Sequence, residues 1–385
     1  MTFKSYTYDD VSVQTATYAT PQGHTTEHHL ILRITTPSLA YAKQLKAILD
    51  AYRRHQAVHA NNAEAIFIRF FLSDAANQYA PLQEELSALG IDKSTAISVV
   101  QQPPLDGTKI AMWVYLVNDV ETTRIDKNTI CVAHGDYRHL WTAGMTSVSP
   151  SSKLQTCDIF THYMSGLASQ GMSLGDNCVR TWFFVNDVDN NYAGVVRGRN
   201  DIFDIEGLTE ATHYIASTGI GGRTADHRVL SLMDAYAVQG IHPNQIKHLY
   251  ALTHLNRTSE YGVRFERGSY VQYGDRRQIF ISGTASIDNK GQVVAVGDIV
   301  RQTERMLENV SMLLSEAEAD IHDMGALIVY LRDTADYATV SEIFASRYPD
   351  IPHVILLAPV CRPGWLIEME CMGTVVSPNN EFPTY

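Results

Sequence analysis

The sequence predicts an α+β protein made of three diverged tandem units, each a β-sheet with two helices on one face. Three observations predict it. A strand ending in Asp and followed by an aromatic residue occurs three times: Phe70-Phe-Leu-Ser-Asp74 before Tyr79, Phe183-Phe-Val-Asn-Asp187 before Tyr192, and Val329-Tyr-Leu-Arg-Asp333 before Tyr337. The segment Arg138 to Val148 parallels Arg277 to Ile287, and each precedes a helical pattern and one of those strands. The 385 residues divide by three into lengths of about 128, an ordinary domain size. The expected units are 1–122, 123–256 and 257–385.

The third unit shows its elements most clearly. Gln278 to Ile287 is rich in β-branched residues and reads as a strand, and Asp288 to Gly291 as a turn. Asp298 is placed to cap a helix in which Met306, Val310, Leu313 and Leu314 recur at helical spacing. Ala326 to Leu331 is almost wholly apolar, as in a central strand. Asp333 then caps a second helix with Tyr337, Val340, Phe344 and Tyr348 on one face, and Pro349 stops it. His353 to Val360 is a buried strand, Pro363-Gly364 a turn, and Trp365 to Cys371 the last strand. In that strand Trp365, Ile367, Met369 and Cys371 share one face, while Leu366, Glu368 and Glu370 share the other. The apolar face belongs under the helices. The face with two carboxylates either meets water or meets another sheet and lines a cleft. The first unit repeats the pattern through Thr95 to Gln102, the turn Pro103 to Gly107 and the strand Ile110 to Val117, with its opening placed at Tyr6 to Asp10.

Composition excludes several functions. Thirty Lys and Arg against 42 Asp and Glu give a net charge of −12, and no segment is dense in basic residues, so no nucleic-acid partner is expected. No apolar run approaches the roughly 20 residues that span a bilayer, so no membrane partner is expected either. The first ten residues lack a positive n-region and an apolar h-region. The five cysteines (Cys131, Cys157, Cys178, Cys361, Cys371) show no CxxC or zinc spacing, and the fifteen histidines include no HExxH. A reduced, cytoplasmic protein without metal or cofactor is the expectation.

The third unit resembles the Rid family, also called YjgF and once labelled endoribonuclease L-PSP or translation initiation inhibitor. The residues that carry the resemblance are Gly268-Ser-Tyr-Val-Gln272, Ile281-Ser-Gly-Thr284, Gly297-Asp298 with Gln302 and Asn309, Val329-Tyr-Leu-Arg-Asp333 and Leu366-Ile-Glu-Met-Glu370. The resemblance implies a chorismate-mutase-like fold, with mixed sheets, two helices on one face of each, and trimers with clefts between subunits. This chain is then a trimer fused into one polypeptide, acting as a monomeric pseudo-trimer or a low-order homo-oligomer. The second and third units together are similar to the chorismatases, which hydrolyse the enol ether of chorismate and release pyruvate. Arg197-Gly-Arg-Asn200 with Phe203, Ala216 to Gly221, Gly283 to Ile287, and Cys361-Arg362 followed by Glu368 and Glu370 carry that likeness. Imine-deaminating Rid proteins place a carboxylate-gripping arginine in the strand after the second helix; here that stretch is Asp350-Ile-Pro-His-Val354, without one.

The implied chemistry needs an acid that protonates carbon and cations that hold carboxylates. Glu368 or Glu370 fits the acid, because burial and a like-charged neighbour both favour the protonated form. Arg362 is the first choice of carboxylate clamp, with Arg223, Arg264 and a hydrogen bond from Tyr270 as further candidates. Cys361 is either a catalytic group or a small buried hydrophobe. Gly219 to Gly222 lacks the spacing of a phosphate cradle and reads as a tight turn. Arg197 and Arg199, two apart in a helix beginning near Asp187, face different directions, so at most one reaches a cleft. The expected partner is a small carboxylate-bearing molecule. The competing functions are a chorismatase-like enzyme, an imine or enamine deaminase, and a non-catalytic binding protein. The acidic charge disfavours ribonuclease activity and translation inhibition.

Overall fold

Each third of the chain builds a six-stranded mixed sheet. The first comprises β1 (Thr2–Tyr8), β2 (Val11–Tyr18), β3 (Glu27–Ile34), α1 (Tyr41–His59), β4 (Ala63–Leu72), α2 (Ala75–Leu89), β5 (Ala96–Gln101) and β6 (Ile110–Asn118). The second comprises β7 (Glu121–Arg124), β8 (Thr129–His134), β9 (Tyr137–Thr146), α3 (Ser152–Ser169), the short α4 (Leu174–Asn177), β10 (Cys178–Val185), α5 (Val188–Ile205), β11 (Ala216–Gly221) and β12 (Ser231–Gln239). The third comprises β13 (Ile246–Leu249), β14 (Gly268–Gln272), β15 (Arg276–Ala285), α6 (Ile299–Glu316), β16 (Met324–Leu331), α7 (Tyr337–Arg347), β17 (His353–Leu357) and β18 (Ile367–Val376). The structure, a computed structural model, describes residues 1–20 and 25–385.

Strand order is the same in all three sheets: β1-β2-β3-β6-β4-β5, β7-β8-β9-β12-β10-β11 and β13-β14-β15-β18-β16-β17. In each, the strands joined by a helical crossover are parallel (β4 with β5, β10 with β11, β16 with β17) and the other pairings are antiparallel. The third sheet begins at Ile246, ahead of the boundary expected at 257, because β13 pairs with β14.

The helices form for local reasons. Ser151 caps α3 by accepting from Leu154 N–H, and Asp298 caps α6 by accepting from Arg301 N–H. Met306, Val310, Leu313 and Leu314 are wholly buried, each contributing about 1.5–3 kcal/mol. Asp333 caps a short 3₁₀ turn that leads into α7, and α7 ends at Arg347, before Pro349.

The other face of each sheet meets the other two sheets, which is why the central strands are buried on both sides. In β4, Ile68 and Phe70 pack with α1 residues Ile48 and Leu49, while Phe67 and Phe71 join a core that includes Trp141, Trp182 and Tyr236 of the second unit and Phe280 of the third. The face of β18 that carries Glu368 and Glu370 therefore meets protein rather than water. Trp365 lies outside this strand, which starts at Ile367 and runs on to Val376.

Three backbone junctions close the ring. Gln101 N–H donates to Arg223 O at 2.8 Å, Gly221 N–H to Pro359 O at 2.9 Å, and Leu357 N–H to Pro103 O at 2.8 Å. The glycines from Gly219 to Gly222 are not a tight turn: they run from β11 into the junction between units. A Cβ on Gly221 would meet Pro359 O at 2.7 Å, so the glycine allows two backbones to approach.

Candidate active site

A cleft lies between the second and third units. Its floor is Glu368 of β18. Tyr192 and Arg199 come from α5, Ser217 and Gly219 from β11, and Phe265 and Arg267 from the segment entering β14. Cys361, Arg362 and Trp365 close it from the turn before β18.

Glu368 is only 3% exposed. Burial first, and the neighbouring Glu370 second, push its carboxyl up to about 8, against the pull of Arg267 and Arg180. Both effects favour its protonated form. Among the described lining residues it is the only carboxyl group. Gly283 on β15 makes room for it: a Cβ there would run into Glu368 Oε1.

Three guanidiniums line the walls, and each is stacked on an aromatic ring. Arg199 and Arg267 lie 5.7 and 5.5 Å from the centroid of Phe265, and Arg362 lies 5.4 Å from that of Trp365. Arg267 is also fixed through its Nη2, which donates to Asn256 O and Oδ1, both at 3.1 Å. The cleft thus joins fixed positive charge, flat apolar surface and one neutral acid, which suits a small anionic molecule with an apolar body.

The sequence-predicted residues divide. Glu368, Cys361 and Arg362 come together in the cleft. Burial and the neighbouring Glu368 push the Cys361 thiol up to about 12, and the Tyr192 hydroxyl hydrogen-bonds to it. The thiol form is a poor nucleophile, and Cys361 stands in the wall of the cleft. Glu370 lies off the cleft, bound by Arg180 at 2.7 Å and by the Tyr330 hydroxyl at 2.9 Å. Arg264 turns outward to Asp204. Arg223 is exposed at the junction of the first and second units. Ser269 donates to Val179 O at 3.2 Å and so faces the second unit, which turns its neighbour Tyr270 the other way, under the Arg277 guanidinium.

Of the pair in α5, Arg199 is buried on the cleft and Arg197 is exposed. Arg267 was not anticipated. It stands three residues after Arg264, and only the docking of β14 against β15 and the second unit distinguishes the two. Among the described residues, no group of three or more His, Cys, Asp or Glu could hold a metal ion, and no helix is long and apolar enough to cross a membrane.

Comparisons with known proteins agree with this architecture. Residues 264–375 match the family described as Endoribonuclease L-PSP. A 3-hydroxybenzoate synthase of Streptomyces hygroscopicus is 26% identical over 275 residues, which cover 66% of this chain and 79% of the relative. A RutC family protein of Pyrococcus abyssi is 33% identical over 97 residues, 25% of this chain and 76% of the relative. The crystal structure of a chorismatase matches with a TM-score of 0.62 and 20% identity, covering 80% of this chain and 93% of that one, which is a likeness of fold.

Proposed function

This chain belongs to the Rid (YjgF, RutC) family, and from that premise we propose that its cleft cleaves the enol ether of a small dicarboxylate of the chorismate type, releasing pyruvate. The observation that carries the reading is Glu368: a buried carboxyl, pushed up to about 8, at the floor of a cleft walled by three arginines. Glu368 gives its proton to the terminal methylene carbon, which becomes a methyl group. The positive charge that develops at the ether carbon is met by water. The proton shed by that water returns to Glu368, the C–O bond of the hemiketal breaks, and its hydroxyl proton passes to the departing alkoxide. The products are pyruvate and the alcohol, with one water consumed. Arg199, Arg267 and Arg362 hold the carboxylates throughout. Phe265 and Trp365 cover the ring and limit water. Acid catalysis of this kind contributes typically 10²- to 10⁴-fold.

Similarity to a 3-hydroxybenzoate synthase over two thirds of the chain favours a second outcome at the same site. There chorismate would yield pyruvate and a hydroxybenzoate with no net water, the ring gaining aromaticity in place of hydration. The deaminase reading is weaker, because β17 carries no arginine and begins with the buried His353.

The test is incubation of the protein with chorismate, following pyruvate by coupled NADH oxidation and the aromatic product by its ultraviolet absorption. Pyruvate release is expected, and the absorption assigns hydrolysis or aromatisation. No pyruvate at high enzyme concentration overturns the reading. Ammonia release from 2-aminoacrylate would move the assignment to a deaminase, and thermal stabilisation by chorismate without turnover to a binding protein.

A further inference from the structure

Glu370 sits two residues from Glu368 on the same face of β18, yet does not line the cleft. Its carboxylate accepts from Arg180 Nη2 at 2.7 Å, Arg69 Nη1 at 3.4 Å, the Tyr330 hydroxyl at 2.9 Å and the Thr218 hydroxyl. Two guanidiniums and two hydroxyls thus occupy the acceptor sites of this carboxylate. The donors come from all three units: Arg69 from β4, Arg180 and Thr218 from β10 and β11, Tyr330 from β16. Arg69 also pairs with Asp234 of β12 at 2.8 Å. The buried cluster thus holds two cations and two anions, balanced without any charge on Glu368. Thr218 ties the cluster to the cleft, since its Oγ1 also accepts from Gly283 N–H at 2.8 Å, and Gly283 is the residue that makes room for Glu368.

We propose that Glu370 is a positioning residue: an ionised carboxylate, held by all three units, whose fixed charge keeps its neighbour Glu368 in the acid form. This rests on the reading of Glu368 as the proton donor. It gives the first unit, which contributes none of the described residues that line the cleft, a part in the chemistry through Arg69. The groups facing Glu368 set the balance. Arg180 from β10 and Arg267 from the entry to β14 draw its proton off, whereas burial and Glu370 hold it. Tyr330 of β16, Tyr192 and Arg199 of α5, and Cys361 and Arg362 of the preceding turn complete its surroundings.

The proposal is tested in ligand-free protein, by infrared titration of the protonated Glu368 carbonyl band, identified by its absence in Glu368→Gln. Glu370→Gln leaves the cluster with a surplus cation, and the midpoint is expected to fall by about one pH unit or more. Glu370→Asp keeps the charge and is expected to titrate close to the native chain. Should Glu370→Gln fail to fold, Glu370→Gln with Arg69→Met restores the balance of buried charge and is expected to titrate below the native chain. A native midpoint in either folded Gln variant overturns the proposal, as does an equal fall in Glu370→Asp. No substrate enters the measurement, so its failure is distinct from a failure to release pyruvate.

Discussion

The cleft between the second and third units has a counterpart between the first and second, and the two differ where chemistry would occur. Strand register aligns them: Ala285 pairs with Glu368 in one, and Thr146 with Leu232 in the other. Tyr192, Ser217, Gly219, Gly283 and Ile287 thereby correspond to Tyr79, Ile97, Val99, Gly144 and Val148, and all of these line their clefts. The counterpart has a hydrophobe in place of the acid, and it stands open, with Val148 57% exposed and an empty volume of about 1500 Å³. The third position around the ring is plugged. There Ala111 replaces the acid opposite Arg33, while the Gln14 side chain accepts from Arg33 at 3.2 Å and donates to Pro349 O at 3.1 Å. One architecture repeated three times therefore keeps one acid. The difference teaches that the fold supplies the cleft, whereas a few side chains and the exclusion of water supply the chemistry.

The comparison is broken most directly by making the working cleft like its counterpart. Glu368→Gln keeps the shape and removes the proton, so pyruvate release from chorismate is expected to fall by about 10²-fold or more. Steady-state rates near the native value would show that the acid lies elsewhere. The next largest effect belongs to the walls. Arg267→Met removes a charge where the open cleft has the neutral Asn128, whose carbonyl accepts from Ala143 N–H as that of Arg267 accepts from Ser282 N–H, and KM is expected to rise about 10- to 100-fold with kcat less affected. A change confined to kcat would mean that Arg267 acts on the transition state rather than holding the substrate.

The smallest effect is on stability. Glu368 is held well above its ordinary value, so the folded chain binds a proton that the unfolded chain releases. Its contribution is complete below about 4.5 and is lost as pH rises towards about 8. Glu368→Gln is expected to flatten that fall in melting temperature, and Leu232→Glu to steepen it by placing a second carboxyl in a buried site. Parallel melting curves for the three proteins between pH 5 and 8.5 would remove the distinction between the clefts.

Much of the fold was legible in the sequence because its signals are local. The period of the apolar residues in α6, the Asp298 cap and the repeated Asp-aromatic junction all act within a few residues. The two-residue alternation of the last strand put Glu368 and Glu370 on one face and raised the possibility that this face meets another sheet. What the alternation left open was which carboxyl faces the cleft and which is bound into the buried cluster. The partners that decide it, Arg69, Arg180 and Thr218, lie 301, 190 and 152 residues away along the chain. The glycines at 219 to 222 misled for the same reason. A glycine needed for close approach to Pro359 carries the same local signature as one needed for a turn.

The sequence by itself determined the repeat, the strands and helices of each unit, and the pair of carboxylates on one sheet face. Each of these follows from backbone geometry and the burial of apolar residues at fixed spacing. Only the tertiary structure decided which of three matched clefts holds a carboxyl group, which arginines reach it and which glutamate is bound instead into the cluster shared by all three units. Those outcomes depend on burial and on charges from different units, and both are settled only when the three sheets close around a common core.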